Sequence, residues 1–205
     1  MNLDSKKHWE TVYETKNPEQ VSWTQEKPQI SLDLINSLDL DKSAKIIDVG
    51  GGDSKLVDYL LEEGFENVSV LDISAAALEK AKKRLGDKAN NVNLIVSDIT
   101  EFTPSTTFDL WHDRAAFHFL TTPEQISKYV NIARNTVTGY LIIGTFSENG
   151  PKKCSGLDIK QYSEGKLITE FENDFEKITC STEDHITPFD TMQNFLFCSF
   201  KRKSN

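Results

Sequence analysis

Between Ala44 and Phe146 short β-branched runs alternate with longer segments of helical period, and no other feature of the chain restricts its architecture so tightly. A strand, a helix and a second strand in succession form a crossover unit, and repeated units of that kind build a parallel sheet. The strand runs are Ala44 to Val49 (AKIIDV), Asn67 to Leu71 (NVSVL), Val92 to Val96 (VNLIV), Phe108 to Trp111 (FDLW) and Tyr140 to Phe146 (YLIIGTF), each short and largely apolar. Ser54 to Glu63 sets Leu56, Val57, Leu60 and Leu61 at helical spacing, and Ser74 to Leu85 opens on a serine cap. Pro123 to Val137 starts with Thr122 as cap and proline at the first helical position, with Ile126, Tyr129, Val130, Ile132 and Ala133 on a broad apolar face.

The flanks complete the plan. Helices are expected at Ser5 to Thr15 and Pro28 to Leu38, separated by the turn-forming Lys16 to Pro18 and a loop carrying Trp23. After Phe146 come a loop, Ser147 to Asp158, a helix near Ser163 to Phe171, and two strand-like segments, Phe175 to Asp184 and Thr191 to Lys201. A chain of 205 residues is the usual size of one domain. The expectation is therefore a single α/β domain over residues 1–205, with a helical cap over 1–40, a βαβ core over 44–146, and a loop with a closing strand pair over 147–205.

Composition removes several classes of function. The formal net charge is -9 and the longest basic run is Lys201-Arg202-Lys203, so a footprint for nucleic acid is missing. The amino terminus has no apolar signal core, and no apolar stretch approaches the length of a membrane span; no membrane partner is expected, and the cytoplasm is the expected location. Cys154, Cys180 and Cys198 are odd in number and widely spaced, which matches neither a disulfide framework nor a thiolate zinc site and suits a reducing compartment. The four histidines are scattered, so no metal is expected.

The first strand runs into Asp48-Val49-Gly50-Gly51-Gly52-Asp53-Ser54 and then directly into a helix, which puts glycines where a tight turn lets backbone approach a ligand. A dinucleotide fingerprint needs a further glycine where Lys55 stands, so the pyrophosphate version fails. Asp72 ends the second strand about twenty residues beyond the glycines, where a carboxylate accepts ribose hydroxyls. Asp98 follows the third strand, where it can accept from an adenine amine. Any one of these aspartates could merely cap the element that follows it; together with the glycines they suit an adenosine.

Asp48 to Gly52, Asp72 and the pair Asp98-Ile99 resemble the first three motifs of class I S-adenosylmethionine-dependent methyltransferases, with Ser54 in place of the usual last glycine. The resemblance extends to Phe108-Asp109-Leu110-Trp111-His112-Asp113-Arg114, to His118-Phe119-Leu120 and to Gly150 through Leu157, which look like a bacterial-type subgroup of unassigned substrate. His8-Trp9-Glu10 with Tyr13 is similar to segments that open several of these enzymes, including ones that modify protein lysine. The resemblance implies a Rossmann-like three-layer sandwich whose seven-stranded sheet is mostly parallel with the last strand antiparallel. It implies S-adenosyl-L-methionine as donor and S-adenosyl-L-homocysteine as product.

On this reading the donor-site candidates are Asp48, Gly50, Gly51, Gly52, Asp72, Ile73, Asp98, Ile99, Asp113 and Arg114, joined by Trp9 and Tyr13 of the cap. The sulfonium is already electrophilic, so transfer needs in-line orientation and removal of a proton from the acceptor. His118, Asp113 and His112 are the catalytic candidates, because they follow the fourth strand; Asp113 could equally pair with Arg114 as a clamp. Trp23, Phe117, His118, Phe146, Cys154, Tyr162 and His185 are candidate walls of the acceptor pocket. The expected activity is methyl transfer to a small molecule in an enclosed pocket. Its alternatives are a protein lysine methyltransferase with an open, acid-rimmed site, a non-catalytic adenosyl-binding module, and a nicotinamide oxidoreductase that Lys55 argues against. The acceptor atom and the oligomeric state are not specified by the sequence.

Overall fold

The computed structural model of the chain describes residues 3–204. In chain order its strands are β1 (Lys45–Val49), β2 (Asn67–Asp72), β3 (Val92–Val96), β4 (Phe108–Arg114), β5 (Val137–Phe146), β6 (Lys153–Cys154), β7 (Leu157–Asp158), β8 (Phe175–Ile186) and β9 (Met192–Arg202). The α-helices are α1 (Leu3–Thr15), α2 (Gln29–Asn36), α3 (Leu56–Glu62), α4 (Ala75–Leu85), α5 (Pro123–Thr136) and α6 (Glu164–Phe171). Seven strands form one sheet in the order β3-β2-β1-β4-β5-β9-β8. The neighbours from β3 through β5 are parallel, and β9 alone runs against its neighbours β5 and β8. This is the Rossmann-like arrangement expected above, and the direction in which strands are added reverses between β1 and β4, where open α/β sheets bind ligands.

Strand alternation divides the apolar residues between the two sheet faces. Ile46, Leu110 and Ile142 face the α2, α3 and α4 side with Leu32, Leu56 and Leu78. Ile47, Trp111, Leu141 and Ile143 face the α5 and α6 side with Ile126, Tyr129 and Leu167. Each fully buried side chain of this size contributes about 1.5–3 kcal/mol of transfer free energy, so both layers are firmly held. Helix starts follow the sequence signals: Ser74 accepts from the Ala77 amide, and Thr122 forms a reciprocal capping box with Gln125.

Three details depart from expectation. β4 continues past Trp111 through His112, Asp113 and Arg114, because these polar residues find buried partners instead of ending the strand. The loop Ser147 to Asp158 contains the small antiparallel pair β6 and β7. Finally, the cysteines are not all unpaired: Cys180 and Cys198 face each other across β8 and β9 and form a disulfide, leaving Cys154 as the free, buried thiol among the described residues. An odd count with wide spacing hid a pair that strand register makes adjacent. Among the described residues no helix is long and apolar enough to cross a membrane.

Candidate active site

The carboxyl ends of β1, β2 and β4 open into one pocket, roofed by α1 and by the segment that carries Trp23. Of the sequence-predicted residues, Trp9, Tyr13, Trp23, Asp48, Gly50, Gly51, Asp72, Ile73, Ile99, His112, Arg114, Phe146 and Cys154 line it. Ser31, Asp53, Ser97 and Phe119 line it as well and were not singled out in the sequence. Ser31 lies on α2 with no local motif to mark it, whereas Asp53 sits inside the glycine turn itself.

The turn after β1 is shaped by the absence of side chains. Gly50 adopts φ +67° and Gly52 φ +52°, conformations that L residues rarely take. A Cβ on Gly50 would run into the Cβ of Ala116, and one on Gly52 would stand 2.5 Å from the Tyr13 hydroxyl. The backbone is thus pressed between the post-β4 segment and α1, with the Gly50 amide donating to the Leu71 carbonyl at 2.7 Å. Gly52 itself supports the turn beneath Tyr13 and does not line the pocket.

Asp72 is buried at the end of β2, where it accepts from the Ser74 amide at 2.8 Å. Burial, reinforced by Asp53 and Asp48 nearby, pushes its carboxyl up to about 7 against the hydrogen bonds that oppose the shift. Burial likewise raises Asp53, which Lys80 and Arg84 partly offset. A buried carboxyl short of donors beside a glycine turn fits the ribose end of an adenosine, which brings two hydroxyl donors. Asp98 does not reach the pocket; its Oδ1 accepts from the Thr100 amide and hydroxyl at 2.8 Å, which caps the turn after β3 and leaves Ser97 and Ile99 to form the wall.

Alternation along β4 sorts the cluster that the sequence treats as one group. His112 and Arg114 share the face of Leu110 and point toward the pocket, and Asp113 shares the opposite face with Trp111. His112 is in register with Asp48 on the adjacent strand, so the two side chains meet: Nδ1 lies 2.7 Å from Asp48 Oδ1. Its Nε2 lies 2.9 Å from Ser31 Oγ. Because Asp48 can only accept when ionised, Nδ1 carries a proton, and in the neutral imidazole Nε2 accepts from the Ser31 hydroxyl. Arg114 donates from Nη1 to the Trp23 carbonyl at 3.0 Å and lies over the Phe195 ring.

Besides Gly52 and Asp98, five sequence candidates lie outside the pocket lining: Asp113, Phe117, His118, Tyr162 and His185. Asp113 is fully buried on the far face, accepting from the Tyr129 hydroxyl at 2.8 Å and from the Ala116 and Phe117 amides; burial, against those bonds, raises it to about 6. It lies outside the pocket lining and does not meet Arg114, since the strand points the two side chains apart. Phe117 packs with Tyr129, Tyr162 and Phe171 in the α5 layer, so neither Phe117 nor Tyr162 walls the pocket. His118 stacks on Phe146 at 4.3 Å between ring centroids, outside the lining, and burial with Arg114 nearby drives it down to about 3. A ring that stays neutral to such low pH is a poor proton acceptor. His185 is displaced too: its Nε2 donates to the Ser22 carbonyl at 2.7 Å, so it tethers the Trp23 segment without facing the pocket.

The roof is fastened by the acidic residue of the His8-Trp9-Glu10 segment, a residue with no role legible in the sequence. Glu10 of α1 accepts from the Ser74 hydroxyl at 2.8 Å and from the Ala75 and Ala76 amides at 2.9 and 3.0 Å, satisfying the first turn of α4. Desolvation works against the charge, but the Ala76, Ser74 and Ala75 donors prevail and hold its carboxyl below the usual range. Glu10→Ala is expected to cost about 1–2 kcal/mol, a loss of roughly 2–8 °C in Tm, with Trp9 becoming more solvent-exposed by fluorescence quenching. An unchanged Tm and quenching constant would show that α1 is held by other contacts.

Residues 40–196 match the methyltransferase domain family. Over 81 residues, 38% of this chain and 30% of the relative, the sequence is 36% identical to malonyl-acyl-carrier-protein O-methyltransferase 1 of Ilyobacter polytropus. Over 82 residues, 40% of this chain and 12% of the relative, it is 26% identical to the mouse eEF1A lysine and N-terminal methyltransferase. The matched stretches thus span less than a third of either curated relative. In fold it is similar to a SAM-dependent methyltransferase from Anabaena variabilis, with a TM-score of 0.75 at 15% identity over 99% of this chain and 96% of that one. The chain belongs to the methyltransferase domain family and has its Rossmann-like fold.

Proposed function

We propose that this chain transfers a methyl group from S-adenosylmethionine to a small molecule. The observation that carries the reading is the roof. Trp9 and Tyr13 are each only 8% exposed over the mouth of the pocket, and Trp9 packs edge-on against Trp23 and Phe119 at 5.6 and 5.0 Å. A side chain presented on a protein surface would have to displace that layer, whereas a small acceptor fits beneath it.

Asp72 would hold the ribose, Ile73, Ser97 and Ile99 would flank the adenine, and the Gly50-Gly51 backbone would approach the methionine end. When bound, the donor supplies an electrophilic methyl group. The chain's own work is to exclude water, orient the acceptor and receive its proton. Asp48, His112 and Ser31 form a hydrogen-bonded series for that last task. As Ser31 Oγ takes a proton from the acceptor it can pass its own to His112 Nε2, and the imidazolium that results lies against the Asp48 carboxylate.

Calorimetric titration with S-adenosylmethionine and, in parallel, NAD tests the donor site: binding of the first alone is expected, and binding of neither by folded protein would overturn it. Methyl-labelled donor incubated with a cell extract should label the small-molecule fraction; label confined to precipitated protein would favour the lysine reading.

The raised Asp72 carboxyl adds a pH signature. Ribose hydroxyls donate to the ionised form, so affinity for S-adenosylhomocysteine should be full above about 7 and weaker by roughly tenfold at pH 6 than at pH 8, with proton release on binding. Affinity that is flat across this range would remove Asp72 from the ribose site. The ligand-free stability moves the other way. A folded-state value near 7 lies above the ordinary 3.8, so the folded chain holds the extra proton between them, and Asp72's contribution to stability falls as pH rises through that window.

A further inference from the structure

Arg114 is a half-buried cation whose guanidinium carries buried, unused donors. Its side chain lines the pocket, its Nη1 is taken by the Trp23 carbonyl, and its buried Nε and Nη2 have no hydrogen-bond partner. Burial lowers it only to about 10, so it stays charged at neutral pH. Glu183 on β8 and Asp48 on β1 are the carboxylates that act on it electrostatically, yet it makes no ion pair with either among the described residues, and Asp48 is already engaged by His112. Leaving a guanidinium buried and half unpaired is expensive unless a ligand completes it.

The surroundings indicate what that ligand is. Arg114 lies over the Phe195 ring, and Phe146 and Cys154 continue the pocket wall beside it. These residues belong to β4, β5, β6 and β9, whereas Asp72 ends β2, two strands from β4 in the sheet and about 10 Å away at ordinary strand spacing. Apolar surface around two parallel N–H donors suits an anion of fork geometry attached to an apolar body. We infer that Arg114 binds a carboxylate of the methyl acceptor, so that the substrate is an apolar or aromatic carboxylic acid. This rests on the reading of the pocket as a methyl-transfer site.

The test uses the full chain saturated with S-adenosylhomocysteine and titrated calorimetrically with benzoate, phenylacetate and indole-3-acetate, each beside its neutral amide. At least one acid should bind tenfold or more tightly than its amide. Arg114→Gln should abolish that preference while leaving S-adenosylhomocysteine affinity within threefold, with Arg114→Lys as the second variant should the first not fold. No acid exceeding its amide would overturn the inference. So would a folded Arg114→Gln protein that has lost S-adenosylhomocysteine binding, because the guanidinium would then belong to the donor's own carboxylate. Wild-type protein that does not bind S-adenosylhomocysteine at all would instead overturn the methyl-transfer reading.

Discussion

Asp72→Ala should weaken S-adenosylhomocysteine binding by at least about 100-fold in calorimetry, since two hydroxyls lose a charged acceptor and each such bond is worth about 1.5–3 kcal/mol. The informative partner is Asp72→Asn, which keeps an acceptor for the Ser74 amide and removes the charge. Because Asp72 is buried and raised to about 7, the ionised carboxylate opposes folding at pH 8. Asp72→Asn should therefore bind the ligand more weakly than wild type and yet melt higher at pH 8, an exchange of stability against function. Near-unchanged affinity in the alanine variant would remove the central support for the donor site.

His112→Ala should be the most destabilising substitution in the pocket. It strips the buried Asp48 carboxylate of its hydrogen-bond donor, which costs about 3 kcal/mol, on the order of 10 °C in Tm for a chain of this size. Asp48→Asn introduced beside it should recover part of the loss, because the two effects share one interaction and do not add. Once an acceptor is known, kcat in His112→Ala should fall by roughly 10²–10⁴ with a smaller change in donor affinity. A melting temperature within about 2 °C of wild type would show that Asp48 is not held by this pair.

Much of the fold was legible because long periodic segments and caps agree with one another: Ser74 and Thr122 start α4 and α5 as their sequence positions indicate. That Asp48, Gly50, Gly51 and Asp72 would share one pocket was legible for the same reason, as they sit in one local pattern at strand ends. The acceptor side was not. Ending β4 at Trp111 lost the alternation that separates Asp113 from His112 and Arg114, so one polar triplet was read as one cluster. His118 and Tyr162 look like pocket residues in a string of letters, but aromatic neighbours from distant elements enclose them. Ser31 and Glu10 acquire their roles from partners 81 and 64 residues away, and local sequence carries no trace of such pairings.

The sheet order has a consequence for how the molecule is made. Among the described strands β9 is synthesised last, yet it does not join the edge: it enters between β5 and β8. Until it arrives, β8 has no strand to pair with, and β5 presents an open flank of unpaired amides and carbonyls. Phe195, the ring beneath Arg114, is carried in on the same strand. β1 through β4 can therefore pair before β9 is made, and the packing of Arg114 on Phe195 forms only once β9 has entered between β5 and β8.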